Sequence, residues 1–214
     1  LKFLVKDKYI LSNSFHTIVA PTEGLYKEKG SKFIAFAHPV SNENEVKIIQ
    51  DGLKKQFFDA RHHCYAYILA GNPEKTRTYD DGEPNHTAGT PILNQIRSLG
   101  LQNVAVFVVR YFGGTKLGVS GLISAYKDAA ADALSKAELL EVFPSTNIRI
   151  QCDYADLNEA MKMVKQFELK LLNMESSNYC VLDIACKDEM LDLVKNKITD
   201  LEIIGIRLIL EIDL

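Results

Sequence analysis

The chain has 214 residues, 47% of them hydrophobic and 25% charged, which is enough apolar material to pack one large domain or two small ones and too much for a disordered chain. A formal charge of −3 excludes a protein coated in basic residues for indiscriminate nucleic-acid binding, but leaves room for a local basic site. The four cysteines, Cys64, Cys152, Cys180 and Cys186, form no CxxC pair, so reduced, buried thiols without metal are expected.

The opening stretch LKFLVKDKYIL is broken by three lysines and an aspartate, too polar for a secretory h-region or a membrane span, and a cytoplasmic protein without membrane partners is expected. Strands are expected at 16–20 and 31–39, then a helix opened by Ser41 or Asn42 and running to about Phe57, then a strand at 63–69. Beyond a polar loop, Thr90-Pro91 opens a short helix that stops at Gly100. The run VAVFVVRYF, 104–112, is β-branched and continuously apolar, the mark of a strand buried on both faces. A glycine-rich turn and a long helix over 118–135 follow.

The pattern changes near Phe143, Pro144 and Ser145, which divides the chain into domains at 1–144 and 145–214. The second part reads strand (147–152), helix (156–167), strand (170–175), strand (179–186), helix (188–197) and strand (206–212), the βαββαβ order of a ferredoxin-like domain. Asp156 and Asp188 stand where helix N-caps are expected. From Ser145 onward 8 Lys/Arg face 13 Asp/Glu, whereas the first 144 residues carry 17 against 15. An anionic partner is therefore expected to meet the first part.

Two stretches place polar residues between a strand and a helix, where functional groups are usually displayed: YDDGEPNHTAGTPIL, 79–93, and RYFGGTKLGVSGLISAY, 110–126. In the second, Arg110 leads into Gly113-Gly114-Thr115-Lys116 and directly on to a helix. Exposed backbone N–H groups and a helix N-terminus suit an anion there, with Lys127 further along, so Arg110, Gly113, Gly114, Thr115, Lys116 and Lys127 form the candidate anion or nucleic-acid site. The alternative is that the glycines serve only close packing. A P-loop would need Lys and Ser/Thr after Gly118, where Val119 and Ser120 stand, and Thr115 breaks the dinucleotide fingerprint.

The first stretch carries Asp80, Asp81, Glu83 and His86, close enough for a hard cation or acid/base work. Turn chemistry is the alternative: Asp81-Gly82 as a turn, Asp80 capping it, and Thr87 or Thr90 capping the next helix. Strand alternation puts His62 and Cys64 on one face and His63 on the other, so the three cannot converge on one ion; Cys64 is expected in the core. Arg61, His62 and His63 join Asp80, Asp81, Glu83 and His86 as a candidate polar cleft, with no catalytic set, metal or cofactor assigned.

Taken together, the segments LYKEKGSKFIAFAHPV (25–40), RHHCYAYILAG (61–71), DDGEPNHTAGTPIL (80–93) and RYFGGTKLGVSGLISAY (110–126) resemble the YigZ/IMPACT family. The resemblance implies an α+β protein of two domains, the first with the fold of ribosomal protein S5 domain 2 and the second ferredoxin-like, as in elongation factor G. It also implies a link to translation, since eukaryotic relatives restrain a stress kinase by competing for its ribosome-associated activator. The chain departs from the family pattern at His86 and Ser120, where glycines are usual, and at Ser124, where an arginine is usual. The leading expectation is a non-catalytic, translation-linked regulator that binds RNA or a ribosome-associated factor. A protein-only regulator is the second reading, and an enzyme using a nucleotide or metal between the Asp80 and Gly113 loops is the third.

Overall fold

The computed structural model describes residues 14–71 and 73–212, a mixed α and β structure. They divide into two compact units, one of residues 15–142 and one of Ser14 with residues 143–212.

The first unit is built on a five-stranded antiparallel sheet. In chain order its elements are β1 (Phe15–Ile18), β2 (Thr22–Glu28), β3 (Ser31–Pro39), α1 (Glu43–Gln56), β4 (His62–Leu69), β5 (Lys75–Tyr79), α2 (Gly89–Ser98), β6 (Val104–Tyr111), α3 (Gly118–Ser135) and β7 (Leu139–Val142). The main sheet runs β2-β3-β6-β4-β5, and β1 pairs with β7 apart from it. Three of these strands, β2, β5 and β7, go beyond the sequence reading. β2 and β5 are largely polar in sequence, and β7 is a four-residue, mostly exposed strand, so hydrophobic alternation does not mark them.

The central strand β6 explains the VAVFVVRYF run. Val104, Val106 and Val108 pack with α2 and α3 on one face of the sheet, while Ala105, Phe107 and Val109 pack with Val46 and Leu53 of α1 on the other. Helix α1 starts at the Asn42 N-cap, whose side chain accepts from the Glu45 N–H at 3.0 Å, while the Glu45 carboxylate accepts from the Ser41 N–H at 2.8 Å. Helix α2 departs from expectation. Neither Thr87 nor Thr90 caps it; the Asp80 carboxylate, from the preceding loop, accepts the N–H groups of Ala88 and Gly89.

The second unit contains β8 (Ser145–Cys152), α4 (Leu157–Gln166), β9 (Lys170–Ser176), β10 (Cys180–Lys187), a 3-10 turn (Asp188–Met190), α5 (Leu191–Ile203) and β11 (Leu208–Ile212). Its antiparallel sheet has the order β11-β8-β10-β9, and alternate residues of β8 and β10 bury against Ala160, Met163 and Val164 of α4 and Val194, Ile198 and Leu201 of α5. Asp156 occupies the N-cap of α4 but makes no side-chain cap; it accepts the Arg207 N–H instead. Asp188 is spent on the Thr146 hydroxyl, and α5 begins after Met190. All four cysteines are free and buried.

Helix α3 lies close on β2 because Gly24 has no side chain: a Cβ there would sit 2.4 Å from the Ala133 nitrogen. Gly52, inside α1, has nothing within 4 Å of the same position. Gly24→Ala is expected to lower unfolding stability by about 1–3 kcal/mol through overpacking, whereas Gly52→Ala should raise it by about 0.5–1 kcal/mol through helix propensity. Urea midpoints of the two variants measure both signs.

Candidate functional site

Strand parity puts an arginine where a core residue belongs. Arg110 follows Val108 on the α3-facing side of β6, beside Phe33 of β3 and His62 of β4 in register, and is only 6% exposed. Such a charge needs a partner, and Glu83, itself 8% exposed, supplies it: Arg110 Nη1 donates to Glu83 Oε1. The guanidinium also sits 5.4 Å from the Phe33 ring centroid and 5.7 Å from that of Phe112. Its Nε is buried and has no hydrogen-bond partner among the described residues.

The Tyr126 hydroxyl, from the buried face of α3, donates to the same Glu83 oxygen at 2.8 Å. The Cys64 sulfur lies 3.3 Å from the Tyr126 oxygen and 3.0 Å from the Asp80 carbonyl oxygen. Burial pushes the Cys64 thiol and the Tyr126 phenol far up, so both stay protonated. His62 Nδ1 lies 2.8 Å from the Asp81 carbonyl oxygen, and since a carbonyl only accepts, Nδ1 carries the proton. Its Nε2 is then an acceptor in the neutral ring, 3.9 Å from Glu83 Oε1.

Glu83 reaches this place through a tightly pinned loop between β5 and α2. Asp81 and Gly82 both have positive φ, 44° and 82°, and the Glu83 N–H closes the turn on the Asp80 carbonyl at 2.9 Å. The Asp80 carboxylate takes the N–H groups of His86, Ala88 and Gly89, and the Asp81 carboxylate takes that of His63 at 2.6 Å. The three acids thus serve three different sets of partners. Among the described residues no cluster of three or more His, Cys, Asp or Glu is arranged to hold a metal.

Over the Arg110–Glu83 pair lies an open cleft of about 420 Å³. Arg61, His62, Glu83, Arg110 and Lys116 bring polar groups to it, so members of both candidate sets meet at one site. Phe112, Pro84, Leu117, Val119 and Leu122 supply apolar walls. The cleft joins Glu83, Arg110 and Lys116, but Asp80 is not among its lining residues. His63, Asp81, His86 and Lys127 also stand outside the lining, the last on the exposed side of α3.

Gly113, Gly114 and Thr115 are exposed and do not line it. Gly113 donates its N–H to Ser31 Oγ at 3.1 Å, and a Cβ on it would fall 1.9 Å from the Gly30 carbonyl carbon, so it is the contact between the β6 end and the β2–β3 hairpin that requires this glycine. Gly114 has φ +87° in open space. Phe112 and Tyr126 are the participants that motif reading passes over. Tyr126 was findable as the one polar-tipped residue on the α3 stripe Leu122, Ala125, Tyr126, Ala129.

Residues 29–134 match the Impact N-terminal domain. The chain is 32% identical over 169 residues to the IMPACT family member YigZ of Escherichia coli (strain K12), covering 78% of this chain and 82% of that protein. To YvyE of Bacillus subtilis (strain 168) it is 31% identical over 165 residues, 77% of this chain and 76% of that one. The chain belongs to the IMPACT family. A crystal structure described as that of a hypothetical protein superimposes with TM-score 0.67 at 28% identity, over 92% of this chain and 96% of the other.

His86 has φ +64°, the left-handed region that glycine enters without strain, which agrees with the glycine that the resemblance implies at this position. The histidine gains a contact in exchange, its Nδ1 lying 3.2 Å from Thr90 Oγ1. Ser120 and Ser124 are both exposed on α3.

Because Glu83 neutralises a buried arginine, Glu83→Ala should destabilise the protein by about 3–5 kcal/mol, while Tyr126→Phe, which removes one hydrogen bond to that carboxylate, should cost about 1–2 kcal/mol. Equilibrium urea unfolding orders the two. A second expectation concerns acid. Burial lowers the His63 pKa against the opposing pull of Asp81, and burial lowers that of His38 against Glu23. The unfolded chain therefore takes up these protons first, near pH 6.5, so their contribution is fully present above that pH and is lost as pH falls through the folded values. Urea midpoints across pH 7.5 to 5 should decline, and His63→Asn should flatten the decline.

Proposed function

We propose that this IMPACT family protein is a non-catalytic, translation-linked regulator that binds RNA through its first unit. The observation that carries the reading is the open cleft, where the exposed cations Arg61 and Lys116 stand at the surface above an arginine already neutralised by Glu83. Charge supports the same choice, since the first 144 residues carry a small positive excess and the remainder a negative one. The translation link rests on the family resemblance to the eukaryotic regulators.

Binding rather than catalysis is supported by the state of the nucleophiles nearest the cleft: Cys64 and Tyr126 are held protonated by burial. As part of this reading, the first unit has the fold of ribosomal protein S5 domain 2 and the second is a ferredoxin-like domain. The βαββαβ order and the β11-β8-β10-β9 sheet support the second assignment.

Lys116→Glu is expected to weaken single-stranded RNA binding and to reduce the slope of log K against log salt by about 0.7–1.4, the signature of one or two lost phosphate contacts. Titrations at two salt concentrations on wild type and variant measure it. An unchanged slope with unchanged affinity would leave a protein partner as the better reading.

A further inference from the structure

We propose that the cleft is a nucleotide subsite, taking one nucleoside phosphate with its ring against Phe112, its phosphate at Lys116 and the start of α3, and its sugar or base donors toward His62 and Glu83. The inference rests on the RNA reading above and names the unit of RNA that the cleft would hold.

Three kinds of group meet there, and together they select this chemistry. The first is at the surface. The N-cap of α3 is Leu117, which has no side-chain oxygen, and the first turn holds no acidic residue, so its leading N–H groups lack a side-chain acceptor. Leu117, Gly118 and Val119 line the cleft alongside Lys116 and Arg61. Free N–H groups, a helix N-terminus and two cations suit a phosphate.

The second is the wall. Phe112 is 46% exposed, with the Arg110 guanidinium 5.7 Å from its centroid, so the exposed ring is braced by a cation rather than packed into a core. An exposed, braced aromatic is the platform on which nucleobases stack without sequence preference.

The third is the floor, which offers acceptors and one unspent donor. In the neutral ring His62 Nε2 is an acceptor, with Nδ1 donating to the Asp81 carbonyl, and Glu83 Oε2 has no protein partner among the described residues. Sugar hydroxyls and base N–H groups are the donors a nucleoside brings to such acceptors. Arg110, more than nine-tenths buried, uses only Nη1 in hydrogen bonds to protein among the described residues, and its Nε has no partner among them. A buried donor left unsatisfied in a lining residue is completed by an ordered water, or by a ligand once the side chains over it shift. The volume of about 420 Å³ lies within the range of small-molecule sites, roughly 300–1,000 Å³.

One chemistry here has two sources, a free mononucleotide or a nucleotide within single-stranded RNA, and the experiment separates them. The full chain is titrated with AMP, adenosine, inorganic phosphate and a short single-stranded RNA, using wild type, Phe112→Ala, Lys116→Glu and, as a control outside the cleft, Lys127→Glu. Melting curves verify that each variant folds. AMP should bind at least tenfold tighter than adenosine or phosphate, compete with the RNA, and lose about tenfold in affinity in Phe112→Ala, while Lys127→Glu leaves AMP binding unchanged.

AMP binding no tighter than phosphate, or unaltered by Phe112→Ala, overturns the subsite. RNA that still binds under excess AMP and in Phe112→Ala, but weakens in Lys116→Glu, removes the subsite and leaves the RNA reading standing. AMP binding without RNA binding keeps the subsite, as one for free nucleotides, and removes the RNA reading. No binding of any probe removes both.

Discussion

A buried arginine on the central strand sets the terms for the first unit. Arg110 stands at a position whose neighbours along β6, Val106 and Val108, are core residues, so its charge is withdrawn from water by the same alternation that buries them. The strand cannot turn it outward, because shifting parity would expose the valines and bury the opposite set. A carboxylate must therefore be delivered from elsewhere, and it must be delivered accurately, since a buried ion pair is tolerated only when its geometry and remaining hydrogen bonds are satisfied.

The polar loop before α2 is shaped by that delivery. Asp81, Gly82 and His86 all take left-handed backbone within a few positions, and Asp80 holds the loop by gathering three N–H groups. Acidic residues that resemble metal ligands on paper are consumed by backbone. Glu83 alone turns inward, where Tyr126 fixes it from α3 and His62 stands opposite. A strand, a loop and a helix thus converge on one carboxylate oxygen, and the cleft is the space left above their meeting point.

Much of this was legible in the sequence. The continuous apolar run of β6, the Asn42 cap, the extent of α3 and the strand–helix order after Pro144 follow from local pattern, because each buries a face or closes a turn with its own residues. Strands β2, β5 and β7 were not legible, since their sequences carry no hydrophobic alternation: β2 and β5 are set by hairpin pairing with β3 and β4, and β7 by pairing with β1 at the far end of the unit's chain. Within the site, Arg110, Lys116 and Glu83 were singled out, but the pairing that cancels Arg110 against Glu83 joins residues 27 positions apart and has no local signature. The helix-capping role of Asp80 was hidden because the carboxylate reaches eight and nine residues ahead, beyond the usual N-cap spacing. The glycines read as ligand-cradling divide on inspection: Gly113 answers to Gly30, while Gly114 answers to a turn.

The site also separates into parts that carry the fold and parts that face outward. Arg110, Glu83, Tyr126 and Cys64 are buried and mutually bonded, so changes there act first on stability, and lost binding in such variants says little about recognition. The side chains of Arg61, Phe112 and Lys116 are exposed and, among the described residues, make no hydrogen bond to the buried network, so changes there act on whatever occupies the cleft. Recognition built this way depends on a rigid floor that fixes the depth and polarity of the cleft and on an exposed set of residues that can vary in sequence without unfolding the floor. Two IMPACT family proteins could therefore share the buried pair and differ in what they bind, the difference lying in the residues at positions 61, 112 and 116 and in the first turn of α3.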